Sequence, residues 1–145
     1  LTTIERVKES ELADLSRLYY QLVSKNTNIN TLKKVFNKIK SNPSHYLLGV
    51  KINKKLVGTA TVILCNDLTG ECRPFIVVEN VIIDENYRGK GYGKMLFKKI
   101  EQIANENNCH YIIVVSNKSR KISHKFYTNL GFNSKDNLAF KKYLK

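Results

Sequence analysis

The stretch Val81-Ile82-Ile83-Asp84-Glu85-Asn86-Tyr87-Arg88-Gly89-Lys90-Gly91-Tyr92-Gly93-Lys94 passes from an apolar run through three alternating glycines into a helical pattern. Chemically this is a place for an anion. The amides of a first helical turn have no partners within the helix and carry the positive end of its dipole, while glycine lets a phosphate approach the backbone without a Cβ in the way. Arg88, Lys90 and Lys94 add side-chain charge. The spacing is neither GxxxxGK[ST] nor GxGxxG, so neither the nucleotide-triphosphate loop nor the dinucleotide fingerprint is met.

Two further residue types nearby could move protons. Glu79 interrupts the apolar run Phe75–Val81, where an unpaired charge would be costly; burial there predicts a carboxyl shifted towards the range of a general base. A structural glutamate paired with a lysine is the competing reading. Tyr127 adjoins Phe126 in a helical pattern; Phe126 can pack on the core and leave Tyr127 on another face, where a phenol, protonated at neutral pH, can act as an acid. His45, His110 and His124 read as surface or satisfied histidines.

The glycine segment resembles the [Arg/Gln]-x-x-Gly-x-[Gly/Ala] signature of the GNAT superfamily of N-acetyltransferases, with Arg88, Gly91 and Gly93 at its fixed positions. Downstream, Asn117-Lys118-Ser119-Arg120, His124-Lys125-Phe126-Tyr127 and Leu130-Gly131-Phe132 are similar to that family's second signature, in the right order. The resemblance implies that the loop amides from Arg88 through Gly89, Lys90, Gly91, Tyr92 and Gly93 to Lys94 hold the pyrophosphate of coenzyme A. It also implies that the backbone of Val81, Ile82 and Ile83 pairs with the pantetheine arm. Asn117, Ser119 and Arg120 become cofactor contacts. An Arg stands seven residues before Tyr127 where many members have Asn, which leaves the choice between Asn117 and Arg120 open. Tyr127 would lie by the thioester sulfur and protonate the thiolate, and Glu79 or a water relay would deprotonate the amine.

The implied activity is direct transfer of an acetyl group from acetyl-CoA to a primary amine in a ternary complex, with no metal. The acceptor, a small molecule or a peptide, would enter by Lys25–Asn30, the Asp67–Pro74 loop and the C-terminal strand, where Arg73 could bind an anionic group. Glu79-Asn80-Val81 and Asn108-Cys109-His110-Tyr111 faintly resemble amino-sugar phosphate acetyltransferases. Two other readings stay open at this level: a non-catalytic acyl-CoA-binding regulatory module, and a basic nucleic-acid-binding domain that sets Arg88, Lys90 and Lys94 on phosphodiesters.

These residues must be positioned by elements that hydrophobic periodicity can trace. Ile4–Lys8 reads as a strand; Leu12, Leu15, Leu18, Tyr19 and Leu22 mark a helix capped by Ser10 and ending near Ser24; Leu32, Val35, Phe36 and Ile39 mark a second helix, ending before Pro43. Tyr46–Ile52 and Leu56–Cys65 form a hairpin across Asn53-Lys54-Lys55, and a strand runs from Phe75 to about Asp84. A helix over Gly91–Asn107, a strand over His110–Val115, a helix over about Ser119–Leu130 and a strand over Leu138–Leu144 follow. The order βααβββαβαβ predicts an α/β fold: one domain over residues 1–145, a GNAT-like mixed sheet flanked by helices.

Composition narrows the partners. An apolar fraction of 42% fits a globular protein, and runs such as Phe75–Val78 and Ile112–Val115 are too short to cross a bilayer, so no membrane partner and a cytoplasmic location are expected. The net charge of +13 comes mainly from lysines spread along the chain, with only five arginines, which argues against a dedicated nucleic-acid surface and suits a polyphosphate ligand. Cys65, Cys72 and Cys109 have neither CxxC nor zinc spacing and read as reduced thiols. A homodimer is compatible with all of this.

Overall fold

The computed structural model describes residues 1–145. They form two compact units, Leu1–Ile113 and Val114–Lys145. The larger unit begins with β1 (Thr2–Arg6), a 3-10 turn (Glu9–Glu11), α1 (Leu12–Val23) and α2 (Ile29–Lys40). It continues through β2 (His45–Ile52), β3 (Lys55–Cys65), β4 (Phe75–Ile83), a 3-10 turn (Glu85–Tyr87) and α3 (Tyr92–Glu106). β5 (Ile112–Val114) and α4 (Lys121–Asn129) complete the list of elements. The sheet order is β1-β2-β3-β4-β5, antiparallel through β4. β5 runs parallel to β4: the His110 amide donates to the Pro74 carbonyl and the Ile76 amide to Tyr111, so both chains advance together.

Local chemistry explains most boundaries. Asn28 caps α2 by accepting from the Thr31 amide at 3.0 Å. Asn53 and Lys54 both take positive φ, which makes the two-residue turn matching strand twist and pairs Ile52 with Lys55. Ser10 is not the cap of α1; it lies inside the 3-10 turn, whose Glu11 carboxylate accepts from the Lys8 amide at 2.7 Å.

One expected element is missing. Residues 138–144 form no strand, and Leu138, Phe140, Tyr143 and Leu144 are each more than 80% exposed. A short apolar run becomes a strand only when a neighbouring edge satisfies its backbone, and no pairing is made here.

The sheet buries both faces. On one, α1 and α2 pack Leu12, Leu15, Leu18 and Phe36 against Leu47, Leu56 and Ile82; on the other lie Leu48, Ala60, Val62, Val78 and Ile76, with Leu96, Phe97 and Ile100 of α3 fully buried. In β4 the register slips: Thr59 pairs with Ile82 and Thr61 with Glu79, so Ala60 alone stands opposite Asn80 and Val81. This bulge, with Asn80 at φ 52°, turns Glu79 and Ile82 to the same face, that of α1 and α2.

Past the bulge, β4 is tied to α1. Asp84, 2% exposed, accepts from the Asn86 amide and pairs with Arg17 of α1, whose second nitrogen reaches the Leu56 carbonyl. Gln21, one turn further along α1, accepts from the Glu85 amide at 3.0 Å. Burial alone would raise the Asp84 carboxyl, but the Asn86 amide, Arg17 and Gln21 outweigh it and hold the group below the ordinary carboxylate value.

Two consequences can be measured. A Cβ at Gly58 would meet Ile83 Cδ1 at 2.6 Å and the Ile82 carbonyl at 3.2 Å, so Gly58→Ala should lower stability by about 1–3 kcal/mol in urea unfolding. Because its folded pKa is depressed, Asp84 contributes stability in full above the unfolded carboxylate value, about 3.9, and loses it as pH falls through the folded value. Asp84→Asn should therefore cost roughly 1–3 kcal/mol at neutral pH and flatten the wild-type stability loss below about pH 4, followed by thermal melts across pH.

Candidate functional site

The far end of β4 delivers the chain into the glycine loop. Gly89 and Gly91 take φ of 74° and 86°, and a Cβ built at either position would meet nothing within 4 Å, so backbone there faces open space. Gly91 is the N-cap of α3; its carbonyl accepts from Met95, and Tyr92, Gly93 and Lys94 form the first turn, whose amides have no intrahelical acceptor. This open, donor-rich cradle suits a pyrophosphate. Lys90 lies near the Tyr87 ring, its Nζ 5.8 Å from the ring centre. Arg88 turns back instead: its Nε donates to the Ile83 carbonyl at 2.8 Å, which fastens the loop to the strand and occupies an acceptor otherwise offered to a ligand.

Val81, Ile82 and Ile83 face β3 on one edge, with Ile82 opposite Thr59 and Ile83 opposite Gly58. On the other edge, β5 has only three residues against nine in β4 and is bonded beside the first end of β4. The later part of β4 thus presents backbone groups that β5 is too short to cover, as an extended amide-bearing ligand requires. They are those of Val81 and Ile83: contrary to expectation, Ile82 turns its carbonyl to Gly58 of β3, because strand residues alternate between edges.

Glu79 departs from expectation: it is exposed, not buried in an apolar environment. The bulge explains this, because residues 79 and 80 stand at its start and both turn towards solvent. On the sheet face that Glu79 shares, α1, α2 and the sheet residues His45, Leu47, Thr61 and Asn80 bound a cleft of about 270 Å3, with Glu79 paired to Thr61 in the next strand. Tyr19 closes its base; burial raises the phenol above its ordinary value, opposed by hydrogen bonds with Thr61 and Thr59. The His45 Nε2 is buried without a hydrogen-bond partner, so the expectation of a surface or satisfied histidine fails, and burial lowers the pKa of the ring. The cleft is walled by helix faces, not by the Lys25–Asn30 connector. Arg73 donates to the carbonyls of Asn108 and Cys109 and so braces a loop.

Within the smaller unit, the Asn117 side chain accepts from both the amide and the hydroxyl of Ser119, a local turn that leads into α4. The Arg120 amide donates to the Asn117 carbonyl, which also meets the His124 ring at 2.7 Å, so His124 is satisfied as expected. Tyr127 is half-buried and packs edge-on against Phe126 and Phe132. Burial raises its phenol above the ordinary value, partly opposed by the Arg120 charge, so the hydroxyl is protonated at neutral pH.

Sequence reasoning passed over Arg17, Gln21, Tyr19, Thr61 and the role of Asp84. The Asp84-Glu85-Asn86 spacing could have disclosed the turn cap. Arg17 and Asp84 are 67 residues apart, and no local pattern links them.

The family model for the GNAT acetyltransferases matches residues 10–132. A probable glucosamine 6-phosphate N-acetyltransferase of Drosophila melanogaster is 24% identical over 134 residues, covering 88% of this chain and 60% of its own length. The glucosamine 6-phosphate N-acetyltransferase of Trypanosoma brucei brucei is 32% identical over 78 residues, 54% of this chain and 51% of its own. The chain thus spans between half and two-thirds of these relatives. A solved structure of a putative acetyltransferase from Agrobacterium tumefaciens superposes with a TM-score of 0.91 at 25% identity, covering 98% of this chain and 99% of that one. The glucosamine-6-phosphate N-acetyltransferase of Arabidopsis thaliana superposes at 0.86 with 21% identity, covering 100% and 99%, and shares the fold. With the family model spanning most of its length, and with the glycine cradle and interrupted strand in place, this chain belongs to the GNAT family of acetyltransferases.

Proposed function

We propose that residues 1–145 act as one acetyl-CoA-dependent N-acetyltransferase domain that moves an acetyl group to a primary amine by direct attack. The observation that carries this reading is the cradle at Gly89–Lys94, where two left-handed glycines and an uncapped helix start face open space at the end of a half-covered strand. Acetyl-CoA supplies the activated acyl carbon. The loop amides and Lys94 hold its phosphates, and the backbone of Val81, turned to the edge away from β3, aligns its amide-bearing arm and polarises the carbonyl.

Glu79 takes the proton from the incoming ammonium, directly or through a water. Its register supports this role where its burial does not: it is exposed and paired with Thr61, a residue that lines the α1–α2 cleft. Tyr127 donates a proton to the departing thiolate, a role supported by its protonated phenol. Asn117 and Ser119 spend side-chain polar groups on their own turn, which favours Arg120 as the side chain that meets coenzyme A. The names of the curated relatives support a small-molecule amine as acceptor.

Calorimetric titration with acetyl-CoA tests the donor site. Wild type should bind and Gly91→Asp, whose carboxylate intrudes on the phosphates, should not; absence of wild-type binding defeats the proposal. Tyr127→Phe should leave acetyl-CoA affinity unchanged and lower kcat by roughly a hundredfold, read by release of free thiol.

A further inference from the structure

The cleft beside Glu79 differs in chemistry from the surface around it. The chain carries a net charge of +13, yet none of the ten residues lining this cleft is Lys, Arg, Asp or Glu. Six are hydrocarbon, led by Leu32, Val35, Phe36 and Ile39 on one wall of α2. Four are polar: Tyr19, His45, Thr61 and Asn80. Burial keeps His45 neutral at pH 7, so it offers no positive charge.

A phosphate entering such a place would leave water with no counter-charge to meet it, an unfavourable exchange. The nearest charge by register is that of Glu79, which sits opposite Thr61 and would repel it. The same carboxylate attracts an ammonium, and the wall of α2 gains by covering hydrocarbon. Cations do occur close by: Arg6, Lys8 and Lys40 line a separate hollow. Phe36, Ile39 and Leu47 line both spaces and stand as the partition between them. Arg6 is committed there, donating to the His45 carbonyl and stacking on Tyr46.

We infer that the acceptor of this chain is a primary amine borne on a small apolar body, aromatic or branched aliphatic, and not a phosphorylated amino sugar. This rests on the donor reading above and sharpens it. The amine lies towards Glu79, the body lies along Leu32, Val35 and Phe36, and the unpartnered His45 Nε2 is the group that a polar substituent on that body would satisfy. The volume of about 270 Å3 suits a compact molecule.

The test compares 2-phenylethylamine with glucosamine 6-phosphate as acceptors, measured by thiol release at saturating acetyl-CoA. The aromatic amine should show kcat/KM at least about tenfold higher. Val35 is 44% exposed, so Val35→Gln should fold; it should raise KM for the aromatic amine several-fold without altering the calorimetric affinity for acetyl-CoA. Preference for glucosamine 6-phosphate, an unchanged KM in Val35→Gln, or no turnover of the aromatic amine by protein that binds acetyl-CoA would each overturn the inference and leave the donor site standing. Failure of wild type to bind acetyl-CoA would instead defeat the donor reading itself.

Discussion

The structure turns on one extra residue in β4. Where Ala60 faces both Asn80 and Val81, the strand loses its regular alternation, and two positions that would lie on opposite faces come to share one. Without the bulge, a glutamate at position 79 and an isoleucine at 82 would point opposite ways. With it, Ile82 enters the core under α1 and Glu79 emerges to solvent on the same face, paired with Thr61 of the α1–α2 cleft. The later residues then run past the end of the short β5 with one edge open, straight into the glycine loop. A single register slip therefore sets Glu79 and the glycine loop along one strand.

Holding such a strand in place requires something beyond sheet pairing. Asp84 sits where the strand ends, nearly sealed from water, and its carboxylate is satisfied from three directions: the Asn86 amide, the guanidinium of Arg17 and the amide of Gln21. The last two lie on α1, a wall of the cleft. A buried carboxylate with partners on one element only would be a weak fixture; here the partners join α1 to the turn that leads into the glycine loop. Gly58 works from the other edge, since its missing side chain lets Ile83 and the Ile82 carbonyl close in.

Much of this was legible beforehand, for physical reasons that can be named. Helical stripes such as Leu12, Leu15 and Leu18, and the glycine loop with its unpaired amides, are local patterns that sequence carries directly. The bulge is not local in that sense: it exists as a mismatch between β3 and β4, and Glu79 read from β4 alone looks buried. His45 follows a proline turn and looked superficial, but pairing with Ile63 draws it into the sheet. The same limit applies to the C-terminal residues 138–144, whose apolar residues suggest a strand while the pairing it calls for is not made. Patterns disclose which face a residue prefers; neighbours decide whether that face is covered.

That unpaired C-terminal stretch has a colloidal consequence. Leu138, Phe140, Tyr143 and Leu144 are almost fully exposed, a sequence of the kind that joins strand edges between molecules and seeds precipitation. Lys135, Lys141, Lys142 and Lys145 flank and interrupt it, with Lys141 set over the Tyr143 ring. Each lysine that would have to be buried or brought against its like in an intermolecular sheet raises the cost of stacking. The lysine excess that suits the chain to a polyphosphate ligand thus also acts as a gatekeeper, keeping copies of the protein apart at the end most inclined to stick.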